Sequence, residues 1–113
     1  MRAADEIVYA LEPRLGVDAY ATLLKRSGLG RCRPLDEPER LARMLAAADI
    51  VMTARSPGGT LLGVVRALTD FAYCCYVCDL AIDPDAQRRG IEQVLIRKVH
   101  EAAGPGTMLI HMS

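Results

Sequence analysis

The chain has 113 residues, of which 51% are hydrophobic, and its 14 basic and 14 acidic side chains give a formal net charge of zero. This length suits one compact domain, and the hydrophobic fraction excludes a disordered chain. The balanced charge argues against a nucleic-acid-binding protein, which usually presents a basic surface.

The N-terminus predicts neither export nor a membrane location. Asp5 and Glu6 stand where a secretory signal would need a long apolar stretch. No later apolar run approaches the length needed to cross a bilayer. We therefore expect a cytoplasmic protein that has no membrane partner.

The first third of the chain predicts one strand and two helices. A β-prone run at residues 7–11 predicts the first strand. Apolar residues at helical spacing predict a helix over residues 17–27. A second helix is predicted to follow Asp36, which would act as its N-cap in a capping box with Glu39, and to end near Ala48.

Three strands are predicted in the middle of the chain. Residues 50–55 and 60–68 predict a hairpin, and the glycines of residues 56–59 supply the backbone freedom that its turn needs. Residues 73–82 form a nearly continuous apolar run, which is typical of a strand covered on both faces.

Three of the four cysteines, Cys74, Cys75 and Cys78, lie in this last run. A disulfide framework would distribute them between loops, and a structural zinc site needs four converging ligands. Side-chain alternation predicts Cys74 and Cys78 on one face of the strand and Cys75 on the other. We therefore expect these thiols to pack in the core and no metal to bind.

Residues 79–92, DLAIDPDAQRRGIE, predict an anion-binding site. A strand ends, a short polar turn follows, and an amphipathic helix begins after Gly90. The N–H groups at a helix start lack internal partners, and the helix dipole favours negative charge there. Gly90 allows the backbone to approach a phosphate closely, and Arg88 and Arg89 add positive charge.

This segment resembles the acetyl-CoA-binding motif of the GNAT superfamily of N-acetyltransferases, Gln/Arg-x-x-Gly-x-Gly/Ala between a central strand and a helix. Glu92 departs from the pattern, because the family has Gly or Ala there. A carboxylate close to a pyrophosphate would weaken binding by on the order of 1 kcal/mol, whereas a Glu92 that points away would simply favour the first helical turn. The residues that fit are Gln87, Arg88, Arg89, Gly90 and Ile91.

Residues 108–112 predict a last strand, which gives the order β-α-α-β-β-β-α-β. This is the GNAT order from the first strand to the fifth. We therefore expect an α/β (α+β) fold with a mixed, mostly antiparallel sheet flanked by helices, and a single GNAT-like acyl-CoA-binding domain over residues 1–113. The family's usual final helix and two strands have no counterpart here. An apolar edge on the last strand would then recruit a second copy, so we expect a homodimer.

The resemblance implies acetyl transfer from acetyl-CoA to a primary amine of a small molecule or a protein. The backbone of Leu80, Ala81 and Ile82 would pair with the pantetheine arm as an added strand does. The pyrophosphate would be held by the backbone of six consecutive residues, Gln87, Arg88, Arg89, Gly90, Ile91 and Glu92.

Four side chains are candidates for proton transfer or for binding the acceptor amine. Asp79 lies on the central strand, near where some family members carry a carboxylate base, although it can also be a polar strand residue. His111 is the second candidate. Arg31 and Arg33 would suit an acidic acceptor, or are simply solvated.

A fold does not by itself decide between functions. The Gln87–Gly90 match favours an N-acetyltransferase. Glu92 and the absent elements favour the alternatives, which are a non-catalytic or weakly active acyl-CoA-binding or regulatory protein and an interaction module without cofactor binding. We take the acetyltransferase as the predicted function and the non-catalytic acyl-CoA binder as its alternative.

Overall fold

The computed structural model describes residues 6–111 and contains a five-stranded sheet and three α-helices. Short 3₁₀ turns follow α1, at Leu29–Cys32, and β4, at Pro84–Ala86. None of the helices within the described residues has the length and apolar character that crossing a membrane requires. The elements are β1 Val8–Leu11, α1 Val17–Ser27, α2 Pro38–Ala47, β2 Ile50–Arg55, β3 Leu61–Thr69, β4 Cys74–Ile82, α3 Ile91–Ala103 and β5 Met108–His111.

The strands lie in the sheet in the order of the sequence, β1-β2-β3-β4-β5. Consecutive strands from β1 to β4 are antiparallel, and β4 and β5 are parallel. A parallel pair needs a crossover connection, which α3 supplies. The predicted fold class and element order are confirmed.

Each face of the sheet carries its own hydrophobic core. The α3 face is covered by one helix, and the opposite face by α1 and α2. Representative side chains of the α3 core are Val65, Cys75, Val77, Leu95 and Val99. Representative side chains of the α1/α2 core are Tyr20, Leu24, Leu41, Val64 and Ala81.

The predicted N-cap of α2 is wrong. The helix begins at Pro38 with Glu37 as its N-cap, and no side chain caps it. Proline is well suited to the first helical position, because its φ is already helical and it has no N–H to satisfy. This preference places the helix start two residues after Asp36, so the capping box with Glu39 does not form.

A β-bulge interrupts the alternation of side chains in β4. Ala67 of β3 pairs with Val77, whereas the preceding residue Arg66 pairs with Asp79, so Cys78 is the extra residue. Beyond the bulge the two faces exchange, and Ala81 contributes to the α1/α2 core instead of the α3 core. The strict alternation predicted for the cysteines therefore fails beyond Val77. All four cysteines are free thiols.

β5 presents apolar side chains at the surface, since Met108 and Ile110 are 52% and 41% exposed. This agrees with the expected apolar character of the strand. The homodimer, and the extent of the domain over residues 1–113, stay predictions.

Gly63 allows α3 to lie close to β3. A Cβ at Gly63 would stand 3.0 Å from the terminal carbons of both Ile82 and Leu95. We expect Gly63→Val to lower the free energy of unfolding by about 1–3 kcal/mol through overpacking, measured by urea denaturation. The control is Gly106→Val, because nothing lies within 4 Å of a Cβ at Gly106. Equal stability of the two variants would contradict this packing account.

Candidate functional site

A pocket of about 440 Å³ lies at the N-terminus of α3, beside the end of β4. It brings together most of the residues predicted to bind the cofactor. Of the others, Leu80 is partly buried against the α3 core, Ala81 is buried in the α1/α2 core, and Arg89 is exposed. The lining residues are Ile82, Ala86, Gln87, Arg88, Gly90, Ile91, Glu92 and Gln93.

Two left-handed residues shape the turn that leads into α3. Arg88 has φ 67° and Gly90 has φ 75°. Positive φ is uncommon for a residue with a side chain, whereas glycine adopts it without a steric penalty. Gly90 is the N-cap of α3 and provides no side chain to cap the helix.

The amide groups at this helix start have no partner in the described part of the chain. The first backbone bond of the helix runs from the Val94 amide to the Gly90 carbonyl, at 3.3 Å. Within residues 6–111, no acceptor pairs with the amides from Arg88 to Gln93. Donors of this kind at the positive end of a helix dipole form a site for an anion.

The segment before this turn is fixed to α1 by an ion pair. Arg26 donates to both Asp83 oxygens, at 2.7 and 2.9 Å, and to Asp85 at 3.1 Å. These bonds from Arg26 hold the pKa of the Asp83 carboxyl below its usual range. The Asp83 carboxylate also accepts the Asp85 amide, at 2.9 Å. The turn is therefore positioned by a helix far from it in sequence.

Within residues 6–111, the end of β4 has one edge without a partner strand. On one side, Leu80, Ala81 and Ile82 lie opposite Val65, Val64 and Gly63 of β3. On the other side, the pairing with β5 covers only Cys74 to Val77 in the residues that the structure describes. This geometry is compatible with the backbone role predicted for Leu80, Ala81 and Ile82, which stays a prediction.

The predicted base, Asp79, lies in the closed interior of the protein and has no exposed surface. Its Oδ1 accepts the Nε proton of Arg33 at 2.7 Å. Arg66 donates to both carboxylate oxygens, and the Tyr20 hydroxyl donates to Oδ2. We call these four residues the Asp79 cluster.

The cluster keeps Asp79 ionised. Burial raises the pKa of Asp79, but hydrogen bonds from Arg66, Tyr20 and Arg33 outweigh burial and hold this pKa below its usual value. Burial and the bond to Asp79 raise the pKa of Tyr20, which stays a protonated donor. The catalytic role of Asp79 stays a prediction, and this geometry argues against it, because a base needs an oxygen that can reach the substrate.

Of the two arginines predicted to meet an acidic acceptor, Arg33 is already engaged with Asp79, and its side chain is 20% exposed. Arg31 is exposed. The second candidate base, His111, is also exposed. It lies on β5, in register with Val77 of β4. His100 has a structural contact, since its Nε2 lies 2.7 Å from the Thr107 carbonyl oxygen.

The Asp79 cluster was not predicted from the sequence. Helical spacing over residues 17–27 accounts for Tyr20 only as an apolar side chain of the helix, and Arg66 was not among the candidate site residues. A usable signal was present, because Arg66 and Asp79 are lone opposite charges within apolar runs of two adjacent predicted strands. Opposite charges at such positions favour a cross-strand pair.

The comparison with known families decides the assignment. The profile of the Acetyltransferase (GNAT) family matches residues 18–106. The chain belongs to the GNAT acetyltransferase family. No curated protein sequence matches it significantly.

Solved GNAT structures have the same fold. A GNAT family protein from Streptococcus pneumoniae TIGR4 matches 96% of this chain and 76% of its own, with a TM-score of 0.79 and 17% identity. A protein from Deinococcus radiodurans R1 assigned as an acetyltransferase aligns with 100% of this chain over 76% of its own length, with a TM-score of 0.74 and 26% sequence identity. The N-acetyltransferase YhbS from Escherichia coli, in complex with CoA, matches 95% and 62%, with a TM-score of 0.74 and 14% identity.

The Asp79 cluster predicts how stability depends on pH. A carboxyl whose pKa is lower in the folded state contributes stability above its unfolded pKa of about 3.9, and that stability is lost as the pH falls through the folded pKa. We expect Asp79→Asn to lower the free energy of unfolding at pH 7 by about 3–5 kcal/mol, because Arg33 and Arg66 lose their buried counter-charge.

Urea denaturation between pH 3 and pH 7 checks this expectation. The difference between the native protein and Asp79→Asn should shrink below about pH 4. Asp36→Asn, at an exposed position, should follow the native curve. A constant difference across the pH range would mean that the Asp79 charge does not stabilise the fold.

Proposed function

We propose that this protein is an N-acetyltransferase that transfers the acetyl group of acetyl-CoA to a primary amine. The observation that carries the proposal is the run of amides from Arg88 to Gln93, which have no partner among residues 6–111 and lie at a pocket lined by Arg88 and Gly90 to Gln93. Membership of the GNAT family and the fold shared with the CoA complex of YhbS support it.

The proposed cofactor contacts are mainly backbone contacts. Within the predicted segment Gln87 to Glu92, the amides from Arg88 onward would bind the pyrophosphate, since they are donors at the positive end of a helix. The Gln87 amide already donates to the Pro84 carbonyl, at 3.4 Å. Arg88 and Arg89 would add positive charge. The free edge of Leu80, Ala81 and Ile82 would pair with the pantetheine arm.

Acetyl transfer forms one bond and breaks another. The amine nitrogen attacks the thioester carbonyl carbon, the C–N bond forms, and the C–S bond breaks. The amine proton passes to a base or to water, and the CoA sulfur leaves as a thiolate that takes up a proton. Such a site works by orienting the two reactants and polarising the carbonyl. The exposed imidazole of His111 is more accessible for proton transfer than Asp79.

A non-catalytic acyl-CoA-binding protein is the second candidate. One observation favours it: the carboxylate of Asp79, the predicted base, is fully engaged with Arg33, Arg66 and Tyr20. Mass spectrometry of an amine panel incubated with acetyl-CoA distinguishes the candidates. Acetylated amine above the uncatalysed background supports the enzyme, whereas binding without product supports the alternative.

Titration of the protein with acetyl-CoA by calorimetry tests the site itself. We expect a dissociation constant in the micromolar range for the native protein. In Gly90→Val we expect it to increase by about tenfold or more, because a β-branched residue disfavours the left-handed backbone at this turn. Gly106→Val is the control and should bind as the native protein does. Absence of binding at millimolar acetyl-CoA would contradict both candidate functions.

Glu92 should oppose the cofactor phosphates. Glu92→Gln removes a negative charge from the pocket with little change in shape, and we expect several-fold tighter binding of acetyl-CoA, about 1 kcal/mol. Glu101→Gln removes an exposed charge further along α3 and should leave binding unchanged. If both variants bind as the native protein does, Glu92 does not act on the cofactor. The same calorimetric titration measures this difference.

A further inference from the structure

We propose that Arg33 is a positioning residue that anchors the α1–α2 connection, residues 28–36, to the bulge of β4. Its guanidinium donates to three oxygens in different places. Nε bonds the Asp79 side chain at 2.7 Å, one terminal nitrogen bonds the Cys78 carbonyl at 2.8 Å, and the other bonds the Cys32 carbonyl at 3.1 Å. Cys78 is the bulged residue of β4.

Charge balance does not require Arg33. Arg66 already matches the Asp79 charge and bonds both of its oxygens, and Tyr20 donates a further proton. Arg33 is a second positive charge, and its side chain is partly exposed. Its particular contribution is spatial, because a planar guanidinium can bind a carboxylate and a main-chain carbonyl at once.

The α1–α2 connection has few other polar ties to the sheet. Its backbone bonds are local, such as the Arg33 amide to the Gly30 carbonyl and the Leu35 amide to the Arg33 carbonyl. Leu29 and Leu35 pack against the α1/α2 core. In the part of the chain that the structure describes, the side-chain hydrogen bonds between this connection and the sheet are those of Arg33.

The anchor joins the connection to β4, the strand that we propose to bind the pantetheine arm of acetyl-CoA. This step therefore rests on the proposed function. The bulge at Cys78 immediately precedes Asp79 and the backbone of Leu80 to Ile82. A ligand that orders this stretch of β4 would also order the connection through Arg33. Removal of Arg33 should separate the two segments and leave the turn at Gln87 to Gly90 unchanged.

Hydrogen exchange followed by mass spectrometry tests the anchor in the free protein. We expect Arg33→Ala to speed exchange of the hydrogen-bonded amides in residues 31–37 by about tenfold, as expected for a lost charge-assisted bond. Arg31→Ala is the matched control, because Arg31 is an exposed arginine of the same connection. Arg33→Lys should give an intermediate rate, since the single ammonium group of lysine cannot reproduce the planar set of donors that binds both Asp79 and the Cys78 carbonyl.

The same measurement with saturating acetyl-CoA tests the transmission, by which we mean that a ligand bound at β4 also orders residues 28–36 through Arg33. In the native protein and in Arg31→Ala, we expect slower exchange both at residues 87–93 and at residues 28–36. In Arg33→Ala, residues 87–93 should still be protected and residues 28–36 should not. A contact that only stabilised the fold would not remove the second protection selectively.

The possible results separate this inference from the proposed function. Unchanged exchange of residues 31–37 in free Arg33→Ala overturns the anchor. Acetyl-CoA protection of residues 28–36 that persists in Arg33→Ala overturns the transmission. If acetyl-CoA protects no residue of the native protein, the cofactor proposal and the transmission fail, and the comparison of the free proteins still decides the anchor.

Discussion

The buried carboxylate of Asp79 is the interaction on which the arrangement of this fold depends. It receives hydrogen bonds from α1 through Tyr20, from β3 through Arg66 and from the α1–α2 connection through Arg33. Removing a charge from water costs several kcal/mol unless partners replace the solvent. The low-energy arrangement therefore requires these three segments to meet at one residue of β4.

The bulge at Cys78 makes this meeting possible. Without it, strict alternation would place Asp79 on the same face as Cys75 and Val77, in the apolar core beneath α3. With it, Asp79 turns to the α1/α2 face and pairs with Arg66. The bulge also divides β4 into a half that pairs with β5 and a half whose outer edge has no partner strand among the described residues. Bulges are frequent beside functional sites because they redirect a side chain or end the pairing of a strand.

The features that could be predicted from the sequence are those set by local rules. Periodicity gives α1 its bounds at residues 17–27, and the apolar run gives β2 its bounds at residues 50–55. The turn before α3 was predicted because unpaired amides follow from any helix start that lacks a capping side chain. The Pro38 start of α2 also follows a local rule, the preference for proline at the first helical position, which here outweighs the capping signal of Asp36.

The features that escaped prediction depend on residues far apart in the chain. Helical spacing places Tyr20 on a buried face, but it does not show that a carboxylate lies opposite. The bulge inserts one residue without a local mark such as glycine, so the orientation of Asp79 could not be predicted. Asp79 was expected on the central strand, but it lies on β4, the fourth of the five described strands. Its surroundings, two arginines and a tyrosine, give it a different chemical character from that of a free base.

These surroundings bear on where the chemistry of the proposed enzyme can take place. Protonation of Asp79 would remove the charge that holds Arg33 and Arg66, so a carboxylate with this structural role is poorly suited to cycle a proton. The proposed contacts to acetyl-CoA then fall to main-chain groups, at the start of α3 and along the free edge of β4. Main-chain groups constrain side-chain identity only loosely, which explains how a glutamate can occupy position 92 in a turn that keeps the geometry of an anion-binding site.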